Sequence, residues 1–259
     1  MVITGSSDGI GKQYAINLAS KGMNVFLISR TESKLREVAE EIRSNSSAEV
    51  KWLAVDFSKD AEIYDTIRKA LSGLVIGMLV NNVGMAHQTL LDFDRLSKKD
   101  LQQTISINVT AAVMMTHMIL PEMKRRRRGM IVNMSSMGGL FAMPFSSLYG
   151  ASKAFLISFS QALGDELRGT GVECQLLVPL FLQTNMSDHM KSVLWWLGFA
   201  NVEKYTKFAV FTIGKTNYTT GYWAHGIQLT GMSLLTPEIR KKISYFLMKL
   251  VRNRRFGKT

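Results

Sequence analysis

The sequence predicts an α/β fold, a doubly wound parallel sheet in a single domain, with a small helical lid and a C-terminal amphipathic helix. Short apolar runs of strand length alternate with segments of helical periodicity, as a parallel sheet covered by helices requires. A glycine-rich turn follows the first apolar run, and polar residues end several of the others. Ligands of such sheets bind at the carboxyl ends of the strands, so these polar residues are the first candidates for a site.

Length and composition fit one globular domain over residues 1–259. The chain is 46% hydrophobic and 20% charged, which is enough to bury a core without disulfides or metals. Cys174 is the single cysteine, and the histidines at 87, 117, 189 and 225 lack metal-ligand spacing. We therefore predict no disulfide and no metal site, and we see no signal peptide or transmembrane run.

The net charge of +12 is concentrated in two segments. Lys124–Arg128 contributes +5 and residues 236–259 contribute +7, which leaves the rest of the chain neutral. No aromatic residues interleave with the first basic run, so nucleic acid is not an expected partner. We interpret that run as a solvated helix end, with an anionic partner as the alternative.

The first strand, Met1–Ile3, leads into a turn with Gly5, Gly9 and Gly11 and then into a helix. Glycines permit positive φ and close backbone approach, and a helix N-terminus offers free N–H groups to a phosphate. The turn is a candidate dinucleotide site, with an ordinary glycine turn as the alternative. The strand is shorter than the usual ~5–6 residues, so we expect a shorter product or an incomplete start.

The second strand, Asn24–Ser29, ends at Arg30, where an NAD-binding unit carries an acidic residue. An arginine suits the 2′-phosphate of NADP(H) instead, with Lys12 and Lys34 as further candidates, and a solvated arginine is the alternative. The third strand ends at Asp56, which either hydrogen-bonds the adenine edge or caps a turn. Helices are predicted over 31–44, 61–71 and 98–124, and further strands over 50–55, 77–80, 130–134 and 172–178.

Tyr149 and Lys153 lie four residues apart in a predicted helix, so both project from one face. A nearby ammonium group favours the phenolate and lowers the tyrosine pKa, which suits general acid–base catalysis near neutral pH. Ser136 ends the preceding strand, where its hydroxyl reaches the mouth of the following helix. For the pair taken alone, a half-exposed tyrosine and a solvated lysine are the alternative.

Two C-terminal segments are predicted to border the substrate or a membrane. Residues 185–215 are the expected lid, with an ordinary surface helix as the alternative. Residues 236–255 form a helix with Thr236 as N-cap and Pro237 in its first turn. Basic residues surround its apolar stripe, which indicates a membrane surface, and packing back on the domain is the alternative. The stripe consists of Ile239, Ile243, Phe246, Leu247 and Leu250.

Together these motifs resemble the short-chain dehydrogenase/reductase family, which has a Rossmann fold. The resemblance covers nearly the whole chain and extends to the branch of 17β-hydroxysteroid dehydrogenases types 3 and 12 and very-long-chain 3-oxoacyl-CoA reductases. The motifs are Thr4-Gly5-x-x-x-Gly9-Ile10-Gly11, Asn81-Asn82-x-Gly84, Asn108, Ser136, Tyr149-x-x-x-Lys153 and, for the branch, Thr220-Gly221-Tyr222-Trp223.

The resemblance implies a role for each site residue. Tyr149 donates a proton to the carbonyl oxygen, and Lys153 lowers the Tyr149 pKa and holds the nicotinamide ribose. Ser136 hydrogen-bonds the carbonyl oxygen, and Asn108 orients a proton-relay water. In one departure, Pro179-Leu180 follows the sixth strand where the family has Pro-Gly. The implied cofactor contacts are Gly5, Ser7, Gly9, Ile10, Gly11, Arg30, Asp56, Asn82, Tyr149, Lys153, Leu182 and Thr184.

The expected activity is NADPH-dependent reduction of a 3-oxoacyl-CoA or a 17-oxosteroid, or the reverse alcohol oxidation. A catalytically silent lipid- or cofactor-binding scaffold on the same fold is the alternative. The branch implies the endoplasmic reticulum membrane, but its N-terminal hydrophobic anchor is not seen in this sequence. A cytoplasmic or peripheral location therefore stays open. The expected partners are a lipid-like substrate and a membrane surface, and the sequence leaves a homodimer open.

Overall fold

A computed structural model describes residues 1–59, 61–86, 90–184 and 200–256. The described residues form one seven-stranded sheet in the order β3-β2-β1-β4-β5-β6-β7, with every neighbouring pair parallel. This confirms the predicted doubly wound sheet. The strands are β1 Val2–Thr4, β2 Val25–Ser29, β3 Val50–Ala54, β4 Met78–Asn81, β5 Gly129–Met134, β6 Val172–Leu177 and β7 Tyr218–Thr219.

The short first strand is central despite its length. Val2 and Ile3 of β1 pair with β2 on one side and with β4 on the other. The N-terminal ammonium of Met1 also donates to the Asn24 carbonyl at 2.7 Å, which fixes the start of β1 beside β2. The two-residue strand β7 was not predicted, because two residues carry no readable periodicity.

The helices agree with the predicted ones to within about three residues where both exist, which is the ordinary uncertainty of element ends. Two helices after residue 200 were not predicted as separate elements. The helices are α1 Gly9–Ala19, α2 Glu32–Asn45, α3 Glu62–Leu71, α4 Lys98–Ile105, α5 Ala111–Arg125, α6 Ser147–Glu166, α7 Val202–Phe211, α8 Trp223–Ser233 and α9 Pro237–Phe256.

The core has two layers, one on each face of the sheet. Alternate side chains of a strand point to opposite faces, so Val2 and Ile3 enter different layers. Ile3 packs with residues of α1, α2 and α7, including the fully buried Tyr205. Val2 packs with residues of α3, α5 and α6, including Ile67 and Met115. Helices therefore cover both faces, and a ligand of such a sheet binds at the carboxyl ends of the strands.

The predicted lid is partly outside the described residues, since nothing is described from 185 to 199. In the described part, α7 packs on α1, where Asn17 donates to Thr206 Oγ1 at 2.9 Å. None of the residues 200–215 lines the main cavity described below. In this part of the segment the side chain of Tyr205 is buried in the core, and the lid stays a prediction.

One helical segment, Lys98–Arg125, is long and apolar enough to cross a membrane by length and composition alone. The sequence analysis predicted no transmembrane helix, and a criterion that buried core helices also meet does not contradict that prediction. In the structure the segment packs on β4 and β5 and buries Met115 and Ile119 in the core. These contacts are those of a core helix.

Candidate active site

The carboxyl ends of the strands border an elongated cavity of about 830 Å³. It extends from Arg30 at the end of β2, past Tyr149 on α6, to the inner face of α9. All but two of the predicted site residues line it, the exceptions being Gly11 and Asn108. Those that line it are Gly5, Ser7, Gly9, Ile10, Arg30, Asp56, Asn82, Ser136, Tyr149, Lys153, Leu182 and Thr184.

The glycine turn between β1 and α1 is built by close backbone approach. Gly5 and Gly9 have φ of 65° and 55°, the left-handed region that glycine tolerates best. A Cβ on Gly11 would overlap Gly5 O and Asn82 Nδ2. Asp8 caps α1 by accepting from Gly9 N at 2.7 Å. The first turn of α1 thus faces the cavity, as a phosphate cradle does.

Asn82 and Thr4 tie the end of β4 to the glycine turn. Asn82 Nδ2 donates to the carbonyls of Thr4 and Gly5, each at 3.0 Å. Thr4 Oγ1 accepts from the backbone N–H groups of Asn82 and Val83, each at 3.1 Å. Asn81 instead points into the interior, where it donates to Asn133 Oδ1 at 2.8 Å. Thr4 was not predicted as a site residue, although a polar residue at the end of a strand is a signal for one.

Arg30 and Lys34 are the basic side chains at the β2 end of the cavity, with Asp56 across from them. Asp56 Oδ1 accepts from Ser58 N at 2.9 Å, so it caps a turn as well as lining the cavity. Burial raises the pKa of Asp56, but the hydrogen bonds from Ser58 and the charges of Arg30 and Lys59 lower it further, so the net shift is downward. The carboxylate is therefore ionised at neutral pH.

Lys12 does not line this end of the cavity. Its ammonium pairs with the Glu41 carboxylate at 2.8 Å, which ties α1 to α2. Ser7 instead reaches the end of β2, where its hydroxyl hydrogen-bonds with that of Ser29 at 2.8 Å. Arg30 and Lys34 remain as the candidates for an anionic group here.

Ser136, Tyr149 and Lys153 converge at the middle of the cavity. Tyr149 and Lys153 lie one turn apart on α6, and Lys153 Nζ is 5.9 Å from the Tyr149 ring centroid. Ser136 lies close enough to Tyr149 for its hydroxyl to affect the pKa of the phenol. Lys153 is only 5% exposed and donates to the Met134 carbonyl at 3.0 Å. The strand end thus holds the ammonium in place behind the phenol.

Asn108 lies behind the cavity wall, in a π-helical segment, Ser106–Thr110, between α4 and α5. Its amide accepts from Met85 N at 2.7 Å and donates to Met85 O at 2.9 Å and Ser152 Oγ at 3.0 Å. These bonds fasten the loop after β4 to α6. The side chain thus braces the site, and the water-orienting role stays a prediction.

The expected lowering of the Tyr149 pKa is not found. Burial raises the pKa of Tyr149 above its ordinary value, and the Ser136 hydroxyl only partly opposes the rise. Burial also lowers the pKa of Lys153 to about 8. Desolvation disfavours the charged form of both groups, and here it outweighs their attraction. A phenol that keeps its proton at neutral pH is suited to proton donation.

The far arm of the cavity was missed by the sequence analysis. Side chains from α9 and from the loop after Ser136 form its wall, and most of them are apolar. The apolar stripe predicted to face a membrane surface is mostly exposed, with Phe246 at 66%, and the face about one residue further along the helix packs on the domain. The lining residues of this arm include Phe141, Met143, Phe181, Ile243, Leu247 and Met248.

A parallel doubly wound sheet, a glycine cradle at a helix N-terminus and a Ser-Tyr-Lys group at the same edge define an NAD(P)-dependent oxidoreductase. The chain belongs to the short-chain dehydrogenase/reductase family, since a family model described as short chain dehydrogenase matches residues 1–194. The resemblance inferred from the motifs is thereby confirmed.

Three similar proteins illustrate the relationship. A very-long-chain 3-oxoacyl-CoA reductase of Rattus norvegicus is 40% identical over 260 residues, covering 100% of this chain and 82% of the relative. An inactive hydroxysteroid dehydrogenase-like protein 1 of Homo sapiens is 41% identical over 230 residues, covering 88% of this chain and 69% of the relative. A short-chain dehydrogenase of Sphingobium yanoikuyae, solved with NADPH, has 27% identity and a TM-score of 0.77, covering 91% and 95% of the two chains.

Proposed function

We propose that this protein is an NADPH-dependent carbonyl reductase that acts on a 3-oxoacyl-CoA, with a 17-oxosteroid as the alternative substrate. The observation that carries the proposal is that Ser136, Tyr149 and the buried Lys153 line the same cavity, midway between its two ends. A cofactor cradle lies on one side of this group and an apolar arm on the other. The rat relative's name, a very-long-chain 3-oxoacyl-CoA reductase, favours the acyl-CoA.

The residues of the cradle fit a nicotinamide dinucleotide. The helix N-terminus at Gly9 and the close approach at Gly5 suit a pyrophosphate, and Arg30 with Lys34 suits a 2′-phosphate. The bound cofactor supplies a hydride to the carbonyl carbon. Ser136 donates a hydrogen bond to the carbonyl oxygen, and Tyr149 transfers its phenolic proton to that oxygen as negative charge develops there. Lys153 then stabilises the tyrosinate that remains.

The raised pKa of Tyr149 favours the reductive direction. Reduction needs a protonated phenol, and Tyr149, whose pKa lies above its ordinary value, carries its proton at neutral pH. The free site is therefore already in the protonation state that reduction requires.

The pH dependence of the reaction is expected to reflect the protonation state of Lys153. Its pKa is lowered to about 8, so the ammonium is present below that pH and is lost as pH rises through it. Because only the cation can hold the cofactor ribose and stabilise the tyrosinate, kcat/KM for NADPH should fall above about pH 8. Initial rates of NADPH oxidation across the alkaline range measure this, and Lys153→Arg should move the decline to higher pH. A flat profile with wild-type protein would argue against the role.

An NADPH-oxidation screen tests the proposed function. The wild-type protein is assayed against 3-oxoacyl-CoAs of increasing chain length and against several keto-steroids at equal concentrations. We expect turnover with the acyl-CoAs, rising with chain length as the acyl group fills the apolar arm. Turnover of steroids alone would select the alternative substrate.

A catalytically silent binding protein is the second candidate, favoured by the relative named as inactive. A silent protein would still bind the cofactor in its cradle. NADPH binding without oxidation in the whole screen would therefore identify this function, whereas turnover would exclude it.

The outer face of α9 is proposed to contact an anionic membrane. Ile239, Phe246 and Leu250 are 45%, 66% and 37% exposed, and Lys242 and Lys249 lie on the same exposed side of the helix. Each basic residue near such a surface contributes ~1 kcal/mol, so binding should weaken with salt. The inner face meanwhile packs on the domain through Met248 and Val251.

Flotation with vesicles measures this contact. Wild-type protein should float with anionic vesicles at low salt and less so at high salt, and the double variant Phe246→Ser, Leu250→Ser should float weakly. Neutral vesicles serve as the control. If the wild-type protein stays at the bottom of a low-salt gradient, α9 is a packing element only.

A further inference from the structure

The far arm of the cavity contains a cation that the reaction described above does not use. Arg240 lies in the first turn of α9 and lines the cavity together with Phe141 and Ser244. The Ser244 hydroxyl donates to the Ala142 carbonyl, which fixes this part of α9 against the loop that begins at Ser136. Arg240 is thus held on the substrate side of the site.

Within the described part of the chain, Arg240 is short of the polar partners that a guanidinium normally has. Its Nε is buried without a hydrogen-bond partner, and no ion pair is found for it among residues 1–59, 61–86, 90–184 and 200–256. Its guanidinium carbon lies over the Phe141 ring, 5.4 Å from the ring centroid, and an aromatic face supplies no oxygen acceptor for the N–H groups. A buried guanidinium N–H without an acceptor is costly unless a ligand supplies one.

Arg252 on the same helix has the carboxylate partner that is not found for Arg240 in the described part of the chain. It lies 4.5 Å from the ring centroid of Phe145, in the same loop, and donates two hydrogen bonds to Asp92, at 3.0 and 2.7 Å. Both arginines therefore stack on a phenylalanine of one loop, but only Arg252 has a carboxylate partner in the described part of the chain. Arg240 instead lines the cavity, so a bound ligand can supply its acceptor.

We propose that Arg240 binds an oxyanion of the substrate, and that this anion is a phosphate of coenzyme A. The inference rests on the proposed carbonyl reduction. Arg240 precedes Leu247 by seven residues, so the two are roughly 10 Å apart along the helix. An acyl chain can therefore follow Leu247 and Met248 while the phosphate-bearing part of the thioester lies at Arg240. A 17-oxosteroid without an acidic substituent is neutral and offers the guanidinium no anionic acceptor.

The test compares substrates that share the acyl chain but differ in charge. The pair is a 3-oxoacyl-CoA and the N-acetylcysteamine thioester of the same acid, which has no phosphate. Arg240→Gln should raise KM for the CoA ester roughly tenfold or more, with kcat nearly unchanged and the short thioester unaffected. Arg240→Lys should raise KM for the CoA ester less than Arg240→Gln does, because lysine keeps the positive charge but lacks the planar guanidinium group.

The matched control is Lys241→Gln, which removes the same charge from an exposed neighbour that does not line the cavity. It should leave both thioesters unchanged. A keto-steroid carboxylate and its methyl ester form a second pair, which distinguishes a carboxylate from a phosphate as the anion. The melting temperature of each variant reports whether it is folded, and the wild-type comparison of the two thioesters stands even if Arg240→Gln does not fold.

Equal KM values of wild-type protein for the two thioesters would overturn the role of Arg240 and leave the reductase intact. The same conclusion follows if Arg240→Gln weakens both thioesters alike, or if it affects only the steroid carboxylate. Wild-type protein that reduces no thioester and no ketone would contradict the proposed function itself, and the inference with it.

Discussion

Replacing Tyr149 by Phe is expected to lower turnover roughly 10²–10⁴-fold, the usual contribution of a positioned general acid. The substitution removes one hydroxyl and leaves the ring on α6, so the cavity keeps its shape. Ser136 is unchanged and can still hydrogen-bond the carbonyl oxygen. The cradle at Gly5 and Gly9 is untouched, so NADPH should bind as before. Steady-state kinetics and a fluorescence titration of NADPH measure the two effects separately.

Tyr14→Phe is the matched control for this substitution. Tyr14 is fully buried in α1, and its hydroxyl has no hydrogen-bond partner in the described part of the chain. Removing that hydroxyl should leave turnover unchanged. If Tyr149→Phe kept activity within a few-fold of wild type, another group would be the proton donor.

Replacing Arg30 by Ala is expected to remove most of a roughly 10- to 150-fold preference for NADPH over NADH. The two cofactors differ only in the adenosine 2′-phosphate, and Arg30 lines the cavity at the end of β2, where that group is expected. A charge-assisted hydrogen bond from a guanidinium to a phosphate is worth ~1.5–3 kcal/mol. The loss should therefore appear as weaker NADPH binding, with NADH nearly unchanged.

Two lysines sharpen the Arg30 experiment. Lys34 lines the same end of the cavity, so Lys34→Ala should reduce the preference in part. Lys12 is paired with Glu41, so Lys12→Ala should leave the preference intact. Wild-type protein that used NADH and NADPH equally well would refute the assignment, as would an Ala variant that kept its preference.

The fold and the centre of the site were predictable because their signals are local. Buried strands followed by Arg30, Asp56 and Ser136 could be read directly from apolar runs and the polar residues that end them. The spacing of Tyr149 and Lys153 placed both on one face of α6 without knowledge of the tertiary structure. The parallel sheet then brings all the strand ends to one edge.

The remaining features depend on contacts between distant segments. Periodicity identified α9 but not which of two adjacent faces packs inward. That orientation depends on a contact between distant segments, the hydrogen bond from the Ser244 hydroxyl to the Ala142 carbonyl. The upward shift of the Tyr149 pKa follows from burial, which spacing along a helix does not reveal. The sequence does not distinguish Arg240 from the other basic residues of α9. Its position over Phe141 and on the cavity wall depends on the tertiary structure.

The most direct test of the central claim follows the hydride. Wild-type protein is incubated with a long-chain 3-oxoacyl-CoA and NADPH that carries deuterium at the transferable position of the nicotinamide ring, and the products are analysed by mass spectrometry. The proposed mechanism predicts a 3-hydroxyacyl-CoA with one deuterium on C3, formed far more slowly by Tyr149→Phe. Recovery of unchanged 3-oxoacyl-CoA, or of a hydroxy product without deuterium, would contradict it.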